Sequence, residues 1–154
     1  MWFMRKGLRG PVPISSRQRL SGSAANADVG TANYFKDYNI ISSKSGSYKG
    51  IDCWILDLEA KSNLVSYSGI KYWVAKKENY GVFAEYYGKS GKLIKVAAFS
   101  YDNRVMYEGK EYPYISQVEI RDKINTEDRT LLNMTPAQFV TFNNSKFQKD
   151  RLVD

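Results

Sequence analysis

Few residues of this chain have the chemistry that catalysis requires. Histidine is absent, and Cys53 is the only cysteine among 154 residues. Without histidine, the chain cannot build the Ser-His, Cys-His or metal-histidine arrangements of hydrolases and metalloenzymes. A single cysteine also excludes a disulfide framework within the chain. The string DCWILDL indicates that Cys53 is a small buried apolar residue, and we predict no metal site.

Two pairs of carboxylates remain as candidates for general acid and base catalysis. Asp57 and Glu59 share one face of a predicted strand, and Glu108 and Glu111 flank a predicted hairpin. A glycosidase-like pair needs two carboxyl groups held apart in a cleft. No cleft is predicted around either pair, and solvated faces of a sheet explain both. We therefore predict no catalytic residue, no cofactor and no enzymatic activity.

A third candidate is an anion site in the irregular segment 14–30. Arg17 and Arg19 lie there among serines and glycines, and arginine forks match phosphate or carboxylate oxygens. No phosphate-binding loop motif accompanies them. Two interpretations stay open for Arg17, Arg19 and Asp28. They contact a ligand headgroup, or they tie an irregular connector to the fold by ion pairs and backbone hydrogen bonds.

From Asp37 onward the sequence is typical of an antiparallel meander. Apolar and polar residues alternate in segments separated by Gly, Asn, Ser and Asp. Hairpin turns are predicted at Lys89-Ser90-Gly91, where the glycine supplies a positive φ, and around Gly109. The predicted strands are 37–48, 51–60, 69–77, 81–88, 92–101, 104–108, 111–123 and 127–134.

Short elements are predicted outside the meander. Residues 2–7 indicate a strand, and ADVGTANYF at 27–35 indicates one helical turn. Thr-Pro-Ala-Gln at 135–138 has the form of a capping box with proline at the first helical position. A last helical turn is predicted after it, capped by Asn144 or Ser145.

Several predicted strands are apolar on both faces. Aromatic residues project to both sides at Tyr72-Trp73 and between Phe83 and Tyr87. One face can close a core while the other lines a groove, is covered by helices or binds a partner. Alternation places nine residues in one continuous apolar wall that we predict to bind ligand: Trp54, Leu56, Leu58, Tyr72, Val74, Val82, Ala84, Val96 and Ala98.

The chain is basic, with a net charge of +7 and twelve tyrosines. Tyrosines interleaved with lysines, such as Tyr86, Tyr87 and Lys89, are residue types that stack on nucleic-acid bases and neutralise phosphates. No RNA-binding motif is present, and no block of five or six like charges occurs. We attribute the charge to lysines on solvated strand faces and predict no nucleic-acid partner.

Several strings together resemble the bacterial outer-membrane lipoprotein-sorting protein family, relatives of the LolA and LolB carriers. The strands YKGIDCWILDLEAK and IKYWVAKKENYGVFAEYYGKSGKLIKVAAFS are similar to that family's strand and hairpin patterns, and FQKDRL resembles its closing segment. The connector is similar to the family's link through Trp2, Ile14-Ser15, Arg17-Gln18, Gly22-Ser23, Asp28 and Asp37-Tyr38.

The resemblance implies a mainly β fold, a strongly curved antiparallel sheet that forms an unclosed half-barrel with a few short helices over its open side. It implies a non-enzymatic carrier in the periplasm or cell envelope that binds acyl chains of a lipid or acylated lipoprotein, with an inner-membrane transporter complex as a further partner. Family members are usually longer and begin with a secretion signal and a helical portion. We therefore expect residues 1–154 to be one domain, the C-terminal part of a longer protein, which in truncated form is able to dimerise.

Two other classes of function stay open. A scaffold domain of an envelope assembly would bind a protein partner through an apolar sheet face, and that face would be flat rather than enclosed. A basic sheet that binds nucleic acid would lose affinity steeply with salt. An acyl-chain carrier would instead owe its affinity to buried methylenes, at ~0.8 kcal/mol each.

Overall fold

The structure is a computed structural model that describes residues 2–3, 9–30 and 33–147. Its elements in chain order are β1 (Trp2–Phe3), β2 (Val12–Pro13), β3 (Arg19–Ser21), β4 (Ala24–Ala25), α1 (Asn26–Gly30), α2 (Tyr34–Asp37), β5 (Tyr38–Tyr48), β6 (Ile51–Ala60), β7 (Gly69–Ala75), β8 (Gly81–Tyr87), β9 (Leu93–Ser100), β10 (Asn103–Tyr107), β11 (Lys110–Tyr114), β12 (Gln117–Asp122), β13 (Arg129–Asn133) and a 3-10 helix (Asn144–Phe147).

Seven strands form one antiparallel sheet in the order β13-β12-β9-β8-β7-β6-β5. The strands from β5 to β9 follow one another as a meander, and the hairpin β10–β11 separates β9 from β12 along the chain. In the part of the chain that the structure describes, β5 and β13 do not pair with each other, so the sheet is not closed into a barrel. This confirms the predicted mainly β fold, an unclosed antiparallel sheet with few short helices.

Each strand predicted from residue 37 onward corresponds to one observed strand except at one place. The single strand predicted at 111–123 is wrong, because two strands, β11 and β12, occupy that range. Ile115 and Ser116 lie between them, and the Ser116 N–H donates to the Ser100 carbonyl at 2.8 Å. At this point the chain changes its pairing partner from β10 to β9. The change of partner ends β11 and begins β12.

Glycine supplies the left-handed backbone in both predicted hairpin turns. Gly91 has φ +73°, and Gly109, with φ +75°, follows Glu108, with φ +48°. Two successive left-handed residues form the turn type that fits the twist of paired strands. Both turn predictions are confirmed.

The segment 27–35 contains two short helices instead of the one predicted helical turn. Asn33 caps α2, because its side-chain oxygen accepts a hydrogen bond from the Lys36 N–H at 3.0 Å. Near the N-terminus, β1 confirms the strand at Trp2–Phe3, and the rest of the predicted strand lies outside the described residues.

The helical turn predicted at 135–138 is wrong, since no helix forms there. The Met134 N–H donates to the Ser116 carbonyl at 2.8 Å, and the Phe139 ring packs against that of Tyr107. These tertiary contacts outweigh the local capping preference. The last predicted turn is present as the 3-10 helix, but Asn143 caps it by accepting from the Ser145 N–H.

The two faces of the sheet bury different clusters. We call the face under α1 and α2 the inner face; its buried residues include Leu58, Ile70, Ala84, Ala97 and Ile120. The opposite, outer face buries a smaller cluster of Cys53, Ala75 and Val82, with Tyr48 and Trp73 packed against it. Strands with apolar residues on both sides are therefore explained by two clusters, and among the described residues helices cover the inner one only.

Candidate ligand cavities on the inner face

Tyr34 of α2 is the residue around which the inner face is organised. Its ring makes edge contacts with the rings of Tyr38 at 5.9 Å and Tyr72 at 5.1 Å. Its hydroxyl lies 3.0 Å from the hydroxyl of Tyr86. Because these partners belong to β5, β7 and β8, one side chain fixes α2 over three strands.

Three cavities meet at Tyr34. The tyrosine cavity, of 540 Å³, is lined by Tyr34, Tyr67, Tyr72, Tyr86 and Tyr101 together with apolar residues. The loop cavity, of 370 Å³, lies between α2 and residues 62–67. The apolar cavity, of 430 Å³, is lined by Phe35, Ile40, Leu56, Leu58 and Val74 as well as by the tyrosines around Tyr34.

Six of the nine predicted wall residues lie on the inner face. Pairing across the strands joins Trp54 to Val74, Leu56 to Tyr72, and Tyr72 to Ala84. The members that line the apolar cavity are Leu56, Leu58, Tyr72 and Val74. Ala84 is completely buried, and the half-exposed ring of Trp54 lies under the Lys76 ammonium, 4.6 Å from its centre.

The predicted continuous wall is wrong for Val96 and Ala98. Val96 pairs with Glu85 and Ala98 pairs with Phe83, so both lie on the outer face. The inner residues of β9 are Lys95, Ala97 and Phe99 instead. A lysine at an inner position made this set look solvent-exposed in the sequence.

The prediction is also wrong for Val82. The pairing of β7 with β8 is irregular between Trp73 and Val74, and Val82 packs with Cys53 and Ala75 on the outer face. A bulge of this kind reverses the facing of the residues beyond it and leaves no trace in an alternating sequence.

Arg17 and Arg19 tie the connector to two distant loops. The Arg17 guanidinium donates to the carbonyls of Asn63 and Val65, both at 2.7 Å. Arg19 donates to the Gly22 carbonyl and contacts Asp128 at 3.2 Å. The segment 14–30 thus spans the sheet from the β6–β7 loop to the β12–β13 loop, and both arginines have structural contacts.

Asp28 anchors α1 to the sheet through a buried ion pair. Its carboxylate lies 2.9 Å from the Lys95 ammonium, and their side chains are only 4% and 10% exposed. The Tyr67 hydroxyl donates to the same carboxylate at 2.5 Å, and the Ala25 N–H donates at 2.8 Å. Lys95 also donates to the Ser23 carbonyl. Asp28 lines the tyrosine cavity, but its charge is already compensated.

Asp57 and Cys53, which the sequence also offered for chemistry, lie on the outer face, away from these cavities. Asp57 lies on the outer face, accepting from Ser42 and 3.8 Å from Lys71. Cys53 is completely buried, as predicted, and burial raises the pKa of its thiol. Within residues 2–3, 9–30 and 33–147, no cluster of acidic, cysteine or histidine residues is arranged to hold a metal ion.

The tyrosines of the inner face stay neutral well above physiological pH. Burial raises the pKa of Tyr34, Tyr67 and Tyr86, and the Asp28 carboxylate raises the pKa of Tyr67 further. At neutral pH the tyrosine cavity therefore offers hydroxyl donors and acceptors without net charge.

We expect these tyrosines to ionise only as the protein unfolds in alkali. Their folded pKa lies above the ordinary 10.0, so the stability they support is complete below pH 10.0 and falls as the pH rises above it. Ultraviolet absorbance of phenolate should rise together with loss of the near-ultraviolet circular dichroism. Ionisation of all twelve tyrosines near pH 10.0 in a protein that stays folded would contradict this prediction.

Three comparisons place the chain among known proteins. A family model with the description "Uncharacterized protein" matches residues 1–154. No curated protein matches the chain. Among solved structures, the chain is similar to a LolA superfamily protein from Nitrosomonas europaea, with 25% identity, a TM-score of 0.77 and coverage of 97% of this chain and 66% of that one.

Two further structures share this fold. One is described as an outer membrane lipoprotein-sorting protein domain from Vibrio parahaemolyticus, with 22% identity, a TM-score of 0.78 and coverage of 98% of this chain and 64% of that one. The other is a DUF1329 family protein from Desulfovibrio piger, with 20% identity, a TM-score of 0.75 and coverage of 98% and 63%. The chain spans about two thirds of the length of these structures. The fold implied by the sequence resemblance is confirmed.

Proposed function

Because the chain belongs to the family whose model matches residues 1–154, and because its fold is that of LolA superfamily proteins, we propose that it binds and carries the acyl chain of a lipid or acylated lipoprotein in the cell envelope. The observation that supports this function best is the apolar cavity under α2. It lies on the covered face of the sheet and shares two lining residues, Tyr34 and Tyr72, with the tyrosine cavity.

The apolar cavity suits a hydrocarbon chain. Ile40, Leu56, Leu58 and Val74 line it with aliphatic groups, and Phe35 lies at its edge. Burying about six methylenes would contribute about 5 kcal/mol before the cost of ordering the chain. The charged residue that lines this cavity, Lys61, is exposed and donates to the Phe35 carbonyl at 3.0 Å, so its ammonium need not be desolvated by the chain.

The tyrosine cavity suits the uncharged polar group to which an acyl chain is attached. The hydroxyls of Tyr72 and Tyr101 have no hydrogen-bond partner among the described residues, and both residues line this cavity. Neutral hydroxyls match ester or amide carbonyls, while the charge of Asp28 is compensated by Lys95. An acyl ester or acylated amine therefore fits both cavities better than a free anion does.

Native mass spectrometry of the full chain after exposure to membranes, followed by lipid extraction, tests the proposal. We expect a bound acyl lipid or acylated peptide that the variant Leu56→Glu loses at least tenfold, because a carboxylate enters the apolar cavity. Ile55→Glu is the matched control, since Ile55 is also half-buried but faces outward. A ligand-free mass from folded, membrane-exposed protein would refute the proposal, as would equal loss in both variants.

A scaffold that binds a protein through the outer face is the second candidate function. There Tyr48 stacks on Phe83 at 4.6 Å, and Phe83 meets the half-exposed Trp73 at 5.1 Å. No helix covers these rings among the described residues. If the purified protein carries no lipid, we expect a protein partner to bind these aromatic rings. The carrier function instead predicts a partner that hands over lipid, such as a transporter complex.

A further inference from the structure

Phe35, Leu64 and Ile124 are 94%, 88% and 78% exposed, more than any other large apolar residue in the described part of the chain. They belong to α2, the β6–β7 loop and the β12–β13 loop. Antiparallel pairing places the start of β5 and the ends of β6 and β12 at the same end of the sheet. Because α2 precedes β5 and the two loops follow β6 and β12, all three elements lie at that end. We call this the loop end; it comprises residues 33–37, 61–68, 88–92 and 123–128.

Backbone contacts hold the parts of the loop end together. The Lys61 N–H donates to the Asp37 carbonyl at 2.9 Å, which joins the β6–β7 loop to α2. Arg17 binds the same loop, and Arg19 binds Asp128 in the β12–β13 loop. The connector thereby fixes two loops that are four strand spacings, or about 20 Å, apart along the sheet. The exposed apolar residues are presented by a braced edge of the fold.

Lysines surround these apolar residues. They are exposed and form no salt bridge with a described carboxylate: Lys36, Lys61, Lys89, Lys92 and Lys123. Of the carboxylates at this end, Asp128 pairs with Arg19, and Asp122 accepts from the N–H groups of Ile124 and Asn125. Four carboxylates at this end form no salt bridge with a described cation: Asp37, Glu59, Asp122 and Glu127. The five unpaired lysines together with Arg17 outnumber them, so unpaired positive charge is in excess.

Apolar side chains framed by lysines match the boundary between lipid headgroups and acyl chains. Each lysine near an anionic membrane surface contributes about 1 kcal/mol. Two of the three cavities reach this end, since Leu64 lines the loop cavity and Phe35 lines the apolar cavity. We propose that the loop end docks on the anionic surface of a lipid bilayer, with Phe35, Leu64 and Ile124 inserted among the headgroups.

The opposite end of the sheet provides the comparison. On the hairpin β10–β11, Met106 and Tyr107 are 59% and 45% exposed, but their neighbour Arg104 lies 3.8 Å from Glu111. The charges of this hairpin, Arg104, Glu108, Lys110 and Glu111, sum to zero. Apolar exposure without excess positive charge gives no preference for an anionic surface, which makes the hairpin a matched control.

Co-sedimentation of the full chain with phosphatidylcholine vesicles, with and without phosphatidylglycerol, tests the docking. We expect binding only to the anionic vesicles, weakened by salt. Leu64→Ser with Ile124→Ser should weaken it at least tenfold, and Met106→Ser should leave it within about twofold. Lys89→Gln with Lys92→Gln should weaken it about tenfold or more, at about 1 kcal/mol per lysine, whereas Lys49→Gln with Lys77→Gln, the same charge change at the opposite end, should not.

Absence of binding to anionic vesicles would overturn the docking proposal, and so would equal loss in the matched controls or loss in Met106→Ser alone. Circular dichroism shows that each variant is folded. The docking does not depend on the carrier function, because the lysine variant leaves the apolar cavity intact. Acyl-chain binding without vesicle binding refutes the docking alone, and vesicle binding without acyl-chain binding refutes the carrier function alone.

Discussion

Replacing Lys95 by methionine is expected to lower the free energy of unfolding by about 3–5 kcal/mol, because the Asp28 carboxylate is left buried without its counter-charge. The Ser23 carbonyl also loses its donor. Tyr67 and the Ala25 N–H still donate to Asp28, but hydrogen bonds alone do not replace the ammonium 2.9 Å away. Urea unfolding, followed by circular dichroism, measures the change.

Two further variants make this prediction specific. Lys71→Met removes a lysine 3.8 Å from Asp57, where both side chains are one-third exposed, and should cost less than about 1 kcal/mol. The double variant Asp28→Asn with Lys95→Met removes both charges and should recover much of the loss. A cost for Lys95→Met no larger than that for Lys71→Met would show that the pair contributes little.

The same ion pair explains the limit of prediction from the sequence on β9. Alternation in LIKVAAFS offers two sets of residues, and the set containing Lys95 looks polar. It is nevertheless the inner set, because Asp28, which is 67 residues away, neutralises the lysine. Side-chain period alone cannot distinguish a solvated lysine from one buried against a distant carboxylate.

Features set by local sequence were predictable. Turns at Gly91 and Gly109 follow from the need for a positive φ, and these turns fix the strand bounds around them. Features set by contacts between distant residues were not predictable from the sequence. The importance of Tyr34 depends on Tyr86, which is 52 residues away. The irregular segment 135–138 lies between Met134, which donates to the Ser116 carbonyl, and Phe139, which packs on Tyr107. The only local signal for α2 is the asparagine that caps it.

The connector, residues 14–30, contacts two separate parts of the fold. Arg17 and Arg19 brace the loops at the loop end, and Asp28 anchors the helix beside the tyrosine cavity. One segment therefore contacts both the loop end and the cover of the tyrosine cavity. A change that releases Asp28 should disturb the cavity cover as well as stability, which is why ligand binding and unfolding should be measured on the same variants.

Replacing Tyr34 by alanine is expected to extend the length of acyl chain that the protein binds. Tyr34 and Tyr72 line both the apolar and the tyrosine cavity, and Tyr34 is the one contributed by the covering helix α2, so we expect removal of its ring to join them. In the parent protein, affinity should stop rising once a chain fills the apolar cavity. In Tyr34→Ala it should keep rising by about fourfold per methylene, from ~0.8 kcal/mol each, so that four more methylenes contribute about two orders of magnitude.

Calorimetric titration with methyl esters of saturated fatty acids of increasing length measures this profile. Tyr34→Phe is the control, since it keeps the ring and removes only the hydroxyl 3.0 Å from that of Tyr86. It should retain the parent's dependence on chain length while losing about 1 kcal/mol of stability. Tyr34→Ala leaves a larger void, at a cost of about 3–5 kcal/mol, so the titration is made under conditions where it is folded. Identical profiles for Tyr34→Ala and Tyr34→Phe would show that Tyr34 does not limit the cavity, and that the chain lies elsewhere on the sheet.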